Sequence, residues 1–159
     1  MSLKYQGCAV VFQEVPDEIT LAFNIAGCPW HCEGCHSPNL WNDVGMSLID
    51  NYAREIENHP GISCVCFMGG DWDLDEIITL GKWIRTHYDL KTCLYMGPAY
   101  ADMHTMLSDM YGAFDYIKTG WYMQGKGPLS SPTTNQRFYK INEDRTVEDL
   151  TWRFQKKYE

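Results

Sequence analysis

The stretch ITLAFNIAGCPWHCEGCH, residues 19–36, joins a strand pattern directly to a short loop that carries three cysteines. In its first half, large apolar residues alternate with smaller or polar ones, at Ile19, Leu21, Phe23 and Ile25. This period of two predicts a β-strand over residues 19–26. The cysteine loop therefore begins at the carboxyl end of a strand.

The three cysteines of this loop, Cys28, Cys32 and Cys35, follow the spacing C-x3-C-x2-C. Structural zinc is normally held by four protein ligands, and the common iron–sulfur clusters by four thiolates. A set of three thiolates predicts a cluster with one metal position open to another molecule. Three reduced structural thiols, or a zinc ion completed by His31 or His36, are the alternatives.

Length and composition bound the class of protein. The chain has 159 residues, which suits a single domain with a real core, and 45% of them are hydrophobic. The formal net charge of −8 argues against a nucleic-acid partner, and no apolar run approaches the length of a membrane span. Because we find no secretory signal and an odd count of seven cysteines, we expect a reducing, cytoplasmic location.

Strand and helix patterns alternate after the cysteine loop. Strands are predicted at residues 62–68, 92–96 and 114–117. Two helices are predicted to begin near Ser47 and Asp73. The pattern also predicts a weaker helix at 100–110 and a last helix within 143–159. This alternation predicts a parallel α/β sheet. Ligands bind such sheets at the carboxyl ends of the strands, where the cysteine loop would meet the segments Gly69-Gly70-Asp71, Gly97-Pro98 and Lys118-Thr119-Gly120.

The cysteine spacing resembles that of the radical S-adenosylmethionine enzymes. The fuller string GCPWHCEGCH, followed by Asn39-Leu40-Trp41, is similar to the narrower family of activating proteins of anaerobic ribonucleoside-triphosphate reductases. Met68-Gly69-Gly70-Asp71 and Asn135-Gln136-Arg137 are similar to two further motifs of that family, and the likeness runs from about residue 19 to 140. One departure is Trp72, which stands where the family usually has proline.

The resemblance implies a fold and a set of cofactors. It implies an α/β fold, a parallel-sheet open TIM-like half-barrel in one domain over residues 1–159, with a core at 19–140 and a C-terminal extension at 141–159. It implies that Cys28, Cys32 and Cys35 hold one [4Fe-4S] cluster and that S-adenosyl-L-methionine binds the fourth iron. The residues that would contact this cofactor are Gly34, His36, Gly69, Gly70 and Asp71. Arg137 is a candidate for pairing with a carboxylate or with the partner.

The resemblance also implies an oxidoreductase activity and a partner. The cluster would cleave S-adenosylmethionine reductively to a 5′-deoxyadenosyl radical, which makes a glycyl radical on the large subunit of the anaerobic reductase. A low-potential electron donor such as a flavodoxin is implied too. The alternatives are an activase of another glycyl-radical enzyme, a zinc-binding interaction module with His36 as fourth ligand, and a passive electron carrier. Cys64, Cys66 and Cys93 are expected to pack in the core.

Overall fold

The computed structural model describes residues 2–97 and 110–155. Its strands are β1 (Lys4–Val11), β2 (Thr20–Ile25), β3 (Met46–Ser47), β4 (Cys64–Met68), β5 (Lys91–Tyr95), β6 (Tyr116–Thr119), β7 (Arg137–Ile141) and β8 (Val147–Asp149). Its helices are α1 (Leu48–Glu57), α2 (Leu74–Tyr88) and α3 (Trp152–Gln155), and short 3-10 turns occupy Pro38–Trp41 and Asp71–Asp73. In the described residues, no helix is long and apolar enough to cross a membrane.

The expected fold, a parallel open TIM-like half-barrel, is wrong. The eight strands form one mixed sheet in the order β3-β1-β2-β4-β5-β6-β7-β8. Of the seven strand pairings in the described residues, four are antiparallel, and the same residues form three α-helices, one of them only four residues long. The physical reason lies in the connections. A tight turn at residues 142–146 joins β7 to β8, and short links favour antiparallel neighbours, whereas a parallel pair needs a long crossover.

The four central strands β2, β4, β5 and β6 run parallel to one another. Their predicted positions are confirmed to within a few residues. The strands added on either side, β1 and β3 at one edge and β7 and β8 at the other, are antiparallel to their neighbours. The predicted helix at 100–110 lies almost wholly outside the described residues.

The two longer helices begin where the sequence predicted. The Ser47 side chain accepts a hydrogen bond from the Asp50 amide at the start of α1, and the Asp73 side chain accepts one from the Glu76 amide at the start of α2. Each bond satisfies an amide that has no partner within the helix. The predicted C-terminal helix is present as the short α3.

Two apolar clusters lie on the two faces of the sheet. The larger one contains Phe23, Val65 and Phe67 and is covered by apolar side chains of α1 and α2. The smaller one contains Cys64, Cys66, Cys93, Tyr116 and Phe138. Cys64 and Cys66 share a face because strand residues two apart point the same way. All three of these thiols are buried, so the prediction that they pack in the core is confirmed.

Helix α2 approaches the backbone closely at Gly81. A Cβ atom at this position would lie 2.5 Å from the carbonyl oxygen of Ala113. One turn later, Arg85 donates two hydrogen bonds to the carboxylate of Asp115, each 3.2 Å long. The glycine and the ion pair together fix the helix against the segment that leads into β6.

A buried carboxylate links the amino ends of the central strands. Glu18, just before β2, is 8% exposed and accepts hydrogen bonds from Ser63 before β4, from Lys91 in β5 and from Tyr116 in β6. The three donor–acceptor distances lie between 2.8 and 3.3 Å. A buried charge needs such partners to offset its loss of water.

Candidate metal centre

The three loop cysteines line one pocket at the carboxyl ends of the central strands. The pocket has a volume of about 230 Å3, and Cys28, Cys32 and Cys35 all contribute to its wall. Its opposite wall comes from the segments after β4, β5 and β6, at Gly69 and Asp71, at Gly97, and at Gly120. The four segments that the sequence placed at this edge of the sheet therefore contribute to one cavity.

Backbone hydrogen bonds shape the cysteine loop. The amides of Gly27 and Cys28 both donate to the carbonyl of Leu40, 2.8 and 2.9 Å away, which closes the base of the loop. A tighter turn follows, because the Cys35 amide donates to the Cys32 carbonyl at 3.1 Å. The Ser37 amide donates to the sulfur of Cys35 at 3.4 Å. Hydrogen bonds to sulfur of this kind are one way in which proteins tune iron–sulfur clusters.

The loop needs left-handed backbone at two positions between its cysteines. Gly34 has φ +75°, and a Cβ there would lie 3.0 Å from the side chain of Gln124. His31 adopts φ +49°, which is uncommon for a residue with a side chain, and its ring stacks on Trp41 at 4.5 Å between centroids. Both positions turn the chain so that three thiols reach the same cavity.

Tryptophans enclose the pocket on one side. The Trp30 indole donates a hydrogen bond to Asp71 at 3.1 Å, and its ring meets that of Trp121 at 5.7 Å, edge to face. Gly97 lies under both rings, since a Cβ on it would come within 2.9 Å of each. The cysteine loop is thereby fixed to the segments that follow β4, β5 and β6.

Two opposite charges line the pocket together with the thiols. Asp71 is 7% exposed, and burial raises the pKa of its carboxyl. Lys118 is half-buried; its ammonium donates to the Gly120 carbonyl at 3.1 Å and lies 5.4 Å from the centre of the Tyr95 ring. Burial lowers the pKa of Lys118 to about 8, while the charges of Asp71 and Cys32 act in the opposite direction.

Lys118 was not singled out from the sequence, which pointed only to the segment that contains it. The available signal was a lysine that follows a predicted central strand, two residues before a glycine. Among the described residues that line the pocket, Lys118 is the one cation and Asp71 the one carboxylate.

The predicted cofactor-binding residues are not all gathered in the pocket. Gly69 and Asp71 line it, whereas Gly34, His36 and Gly70 do not. Gly70 has φ +97°, and a Cβ there would lie 2.8 Å from Ile77, so it permits the turn into α2. The ring of Trp72 lies against Gly69, where a Cβ would be 3.1 Å from it. The ring of His36 packs against Tyr122 at 5.3 Å.

Arg137 lies outside the pocket and pairs with Asp149 across β7 and β8 at 3.6 Å. Its neighbour Gln136 does line the cavity, and the side-chain amide of Gln136 donates a hydrogen bond to the Gly120 carbonyl at 3.3 Å. The side chain of this motif that reaches the site is therefore glutamine and not arginine.

The donor set of the loop fits an iron–sulfur cluster better than a single ion. The ligands are three soft sulfur atoms, partly exposed, on the wall of one cavity. In residues 2–97 and 110–155, these sulfurs form no group of three ligand atoms within 4.8 Å, with or without a histidine. Burial raises the pKa of the Cys28 thiol, and bound metal would hold it as thiolate.

Comparison with known proteins agrees with this donor set. A family model described as a 4Fe-4S single cluster domain matches residues 19–142, from the start of β2 to just beyond β7. No curated protein and no solved structure gives a significant match.

Proposed function

The chain belongs to the family of 4Fe-4S single cluster domains, and from this we propose that it is a radical S-adenosylmethionine activase. Cys28, Cys32 and Cys35 would hold the cluster, and its open iron would be the binding position for S-adenosylmethionine. When bound and reduced, the cluster supplies one electron that splits the sulfonium into methionine and a 5′-deoxyadenosyl radical.

The observation that supports this proposal is the pocket beside the thiols. A cluster that only carried electrons would need a fourth ligand and no cavity. Here Asp71 and Lys118 offer opposite charges within the wall that the three cysteines share. S-adenosylmethionine carries a carboxylate and a cationic sulfonium, so the two side chains complement it. The indole rings of Trp30 and Trp121 offer aromatic surface for its adenine.

The protein residues orient the cofactor and exclude water. Lys118 holds the carboxylate by a charge-assisted hydrogen bond, and Asp71, itself fixed by the Trp30 indole, faces the cationic end. The glycines at 69 and 97 keep side chains out of the cavity wall, so that backbone approaches the ligand. The Trp30 and Trp121 indoles cover one side of the cavity, which limits the access of solvent to the radical.

The proposed substrate is a backbone glycine of the anaerobic ribonucleoside-triphosphate reductase. The radical takes a hydrogen atom from that glycine, which yields 5′-deoxyadenosine and leaves a glycyl radical on the reductase. This step rests on the resemblance of the cysteine string and of Asn135-Gln136-Arg137. Trp121 and Met123, beside the cavity, are 37% and 43% exposed and offer apolar contact to a macromolecular partner. A flavodoxin-type protein is the proposed electron donor.

The test is anaerobic reconstitution with iron and sulfide, reduction with dithionite, and electron paramagnetic resonance with and without S-adenosylmethionine. We expect a reduced-cluster signal that changes on addition of the cofactor, together with formation of methionine and 5′-deoxyadenosine. Cys32→Ser should lose the cluster, whereas Cys8→Ser, a half-buried cysteine outside the pocket, should retain it.

Other outcomes identify the alternatives. A cluster signal that does not change when S-adenosylmethionine is added would indicate an electron carrier. Zinc without iron at the loop would indicate an interaction module. If cleavage occurs, mixing with the reductase separates the proposed partner from other glycyl-radical enzymes, since only the correct partner gains a glycyl radical signal.

A further inference from the structure

A second group of metal-ligand side chains lies away from the cysteine pocket. The ligand atoms of Cys8, Glu55 and His59 all lie within 4.8 Å of one another, and the described residues contain no other such group of three. All three side chains are half-buried, and none of them lines the pocket. The group joins the middle of β1 to the C-terminal end of α1.

Local structure explains why these residues meet. The pairing of β1 with β2 shifts register between Tyr5 and Cys8, and Gly7 within this bulge has φ +134°. A bulge re-aims the side chains that follow it, which here turns Cys8 toward the helix. Glu55 lies in the last turn of α1, which ends at Glu57, and His59 follows two residues later, where its amide donates a hydrogen bond to the Ile56 carbonyl at 3.1 Å.

Hydrogen bonds already orient two of the three side chains. The Tyr5 hydroxyl donates to Glu55 Oε2 at 2.6 Å, and His59 Nδ1 lies 2.6 Å from the Glu55 carbonyl oxygen. A carbonyl oxygen only accepts, so Nδ1 carries the hydrogen and Nε2 keeps a free lone pair. Metal-binding histidines and carboxylates are typically held by outer partners of this kind.

We propose that Cys8, Glu55 and His59 bind a zinc ion, with water as the fourth ligand. One thiolate, one carboxylate and one imidazole are a mixed set of the type zinc accepts, and the two anionic ligands balance the charge of the ion. The ion would bridge β1 and the end of α1, away from the cysteine pocket, and would keep one position for water, as zinc sites with three protein ligands do.

The test measures zinc in the full chain with its iron–sulfur cluster loaded, so that iron occupies the loop thiolates. After excess metal is removed, we expect one zinc per chain in addition to iron. Cys8→Ser and His59→Gln should each lose zinc and keep iron, and Tyr5→Phe should weaken zinc binding by about tenfold because the carboxylate loses its outer partner. Glu57→Gln and His87→Gln, at exposed positions on α1 and α2, should keep both metals.

Cobalt(II) provides a spectroscopic check. Cobalt bound at this group should show a thiolate charge-transfer band that Cys8→Ser removes. Zinc absent from the wild-type chain, or zinc content unchanged in both Cys8→Ser and His59→Gln, would overturn the proposal. Circular dichroism shows whether each variant is folded. If Cys8→Ser and His59→Gln do not fold, Tyr5→Phe still tests the proposal, because it keeps all three ligands.

The outcome is separable from that of the proposed function. Cys32→Ser should lose iron and keep zinc, the reverse of Cys8→Ser. Should the cluster fail to assemble in any preparation, the triple variant Cys28→Ser, Cys32→Ser, Cys35→Ser still reports on zinc, since its loop offers no thiolate.

Discussion

At the scale of single residues, Lys118 gives the pocket a positive charge that the cysteines and Asp71 do not supply. Its ammonium lies in a cavity wall next to an aromatic ring, where little water competes for it. A charge-assisted hydrogen bond in such a place is stronger than one at the surface.

Replacement of this lysine tests its role. Lys118→Met should weaken S-adenosylmethionine binding by about tenfold to a hundredfold, the range of a lost hydrogen bond between charged groups. The dissociation constant can be measured from the cofactor-dependent change in the cluster signal. Iron content should stay unchanged, and Lys126→Met, an exposed lysine on the following loop, is the control. Equal affinity for S-adenosylmethionine in the two variants would show that Lys118 does not bind the cofactor.

Gly34 shapes the cysteine loop through its backbone conformation. Its φ of +75° is strained for any side chain, and a Cβ would press on Gln124. Gly34→Ala should therefore cost about 1–3 kcal/mol of strain in the loop and reduce the iron and sulfide bound after reconstitution. Gly125→Ala, with open space around it and no positive φ, should bind the normal amount. A fully loaded Gly34→Ala protein would show that the loop relaxes without the left-handed turn.

At the scale of elements, the packing of α2 depends on the absence of a side chain at Gly81. Alanine normally favours a helix over glycine by about 1 kcal/mol. Here a methyl group would collide with the Ala113 carbonyl, and the backbone cannot move away easily. Gly81→Ala should thus lower the free energy of unfolding by about 1–3 kcal/mol, the usual cost of overpacking.

Urea denaturation measures this effect, with Lys82→Ala, at the next and exposed position of α2, as the control. The control should change stability by no more than about 0.5 kcal/mol. A Gly81→Ala protein as stable as the wild type would mean that the helix shifts away from Ala113 without loss, and that the Arg85–Asp115 pair tolerates the shift.

The elements also show which local features could be predicted. The helix starts at Ser47 and Asp73 were predictable because a cap is a local interaction within four residues. The central strands were predictable because they are apolar and bounded by glycine. Strand β1 was not predicted, since the bulge at Gly7 interrupts its alternation and leaves most of its residues half exposed.

At the scale of the whole molecule, Glu18 connects three neighbouring strands through one carboxylate. Its partners precede or begin β4, β5 and β6, so the contact depends on the complete parallel centre of the sheet. Glu18→Ala should lower the free energy of unfolding by about 1–3 kcal/mol, because the buried Tyr116 hydroxyl is left without its acceptor. Denaturant unfolding tests this, with the exposed Glu143→Ala as the neutral comparison. Equal midpoints for the two variants would contradict it.

The direction and number of the outer strands could not be predicted from the sequence. The half-barrel followed from the resemblance and from counting strand and helix patterns between residues 19 and 117. Whether an added strand runs parallel or antiparallel depends on its partner and its connection, which a pattern of period two does not encode. The antiparallel direction of β8 follows from the tight turn before it, and that of β1 follows from its pairing with β2.

The convergence of the cysteine loop and the strand ends on one pocket could be predicted from the sequence. The strand ends that face the three cysteines followed from the rule for parallel neighbours, whereas metal binding by Cys28, Cys32 and Cys35 stays a prediction. The placement of Lys118 and Gln136 in the pocket, and of Arg137 outside it, depends on how β6 and β7 pair, which is a long-range contact. The roles of Gly34, His36, Gly69, Gly70 and Asp71 in cofactor binding stay predictions.

The seven thiols differ in their access to solvent, so their rates of alkylation report on the state of the chain. Cys8, Cys28, Cys32 and Cys35 are partly exposed, whereas Cys64, Cys66 and Cys93 are enclosed in the smaller apolar cluster. An alkylating reagent should therefore modify the first four in the metal-free folded chain and the last three only after unfolding. Mass spectrometry of one pulse-labelled sample would then measure two quantities separately. Labelling of the first four thiols reports metal occupancy, and labelling of the last three reports global opening of the sheet.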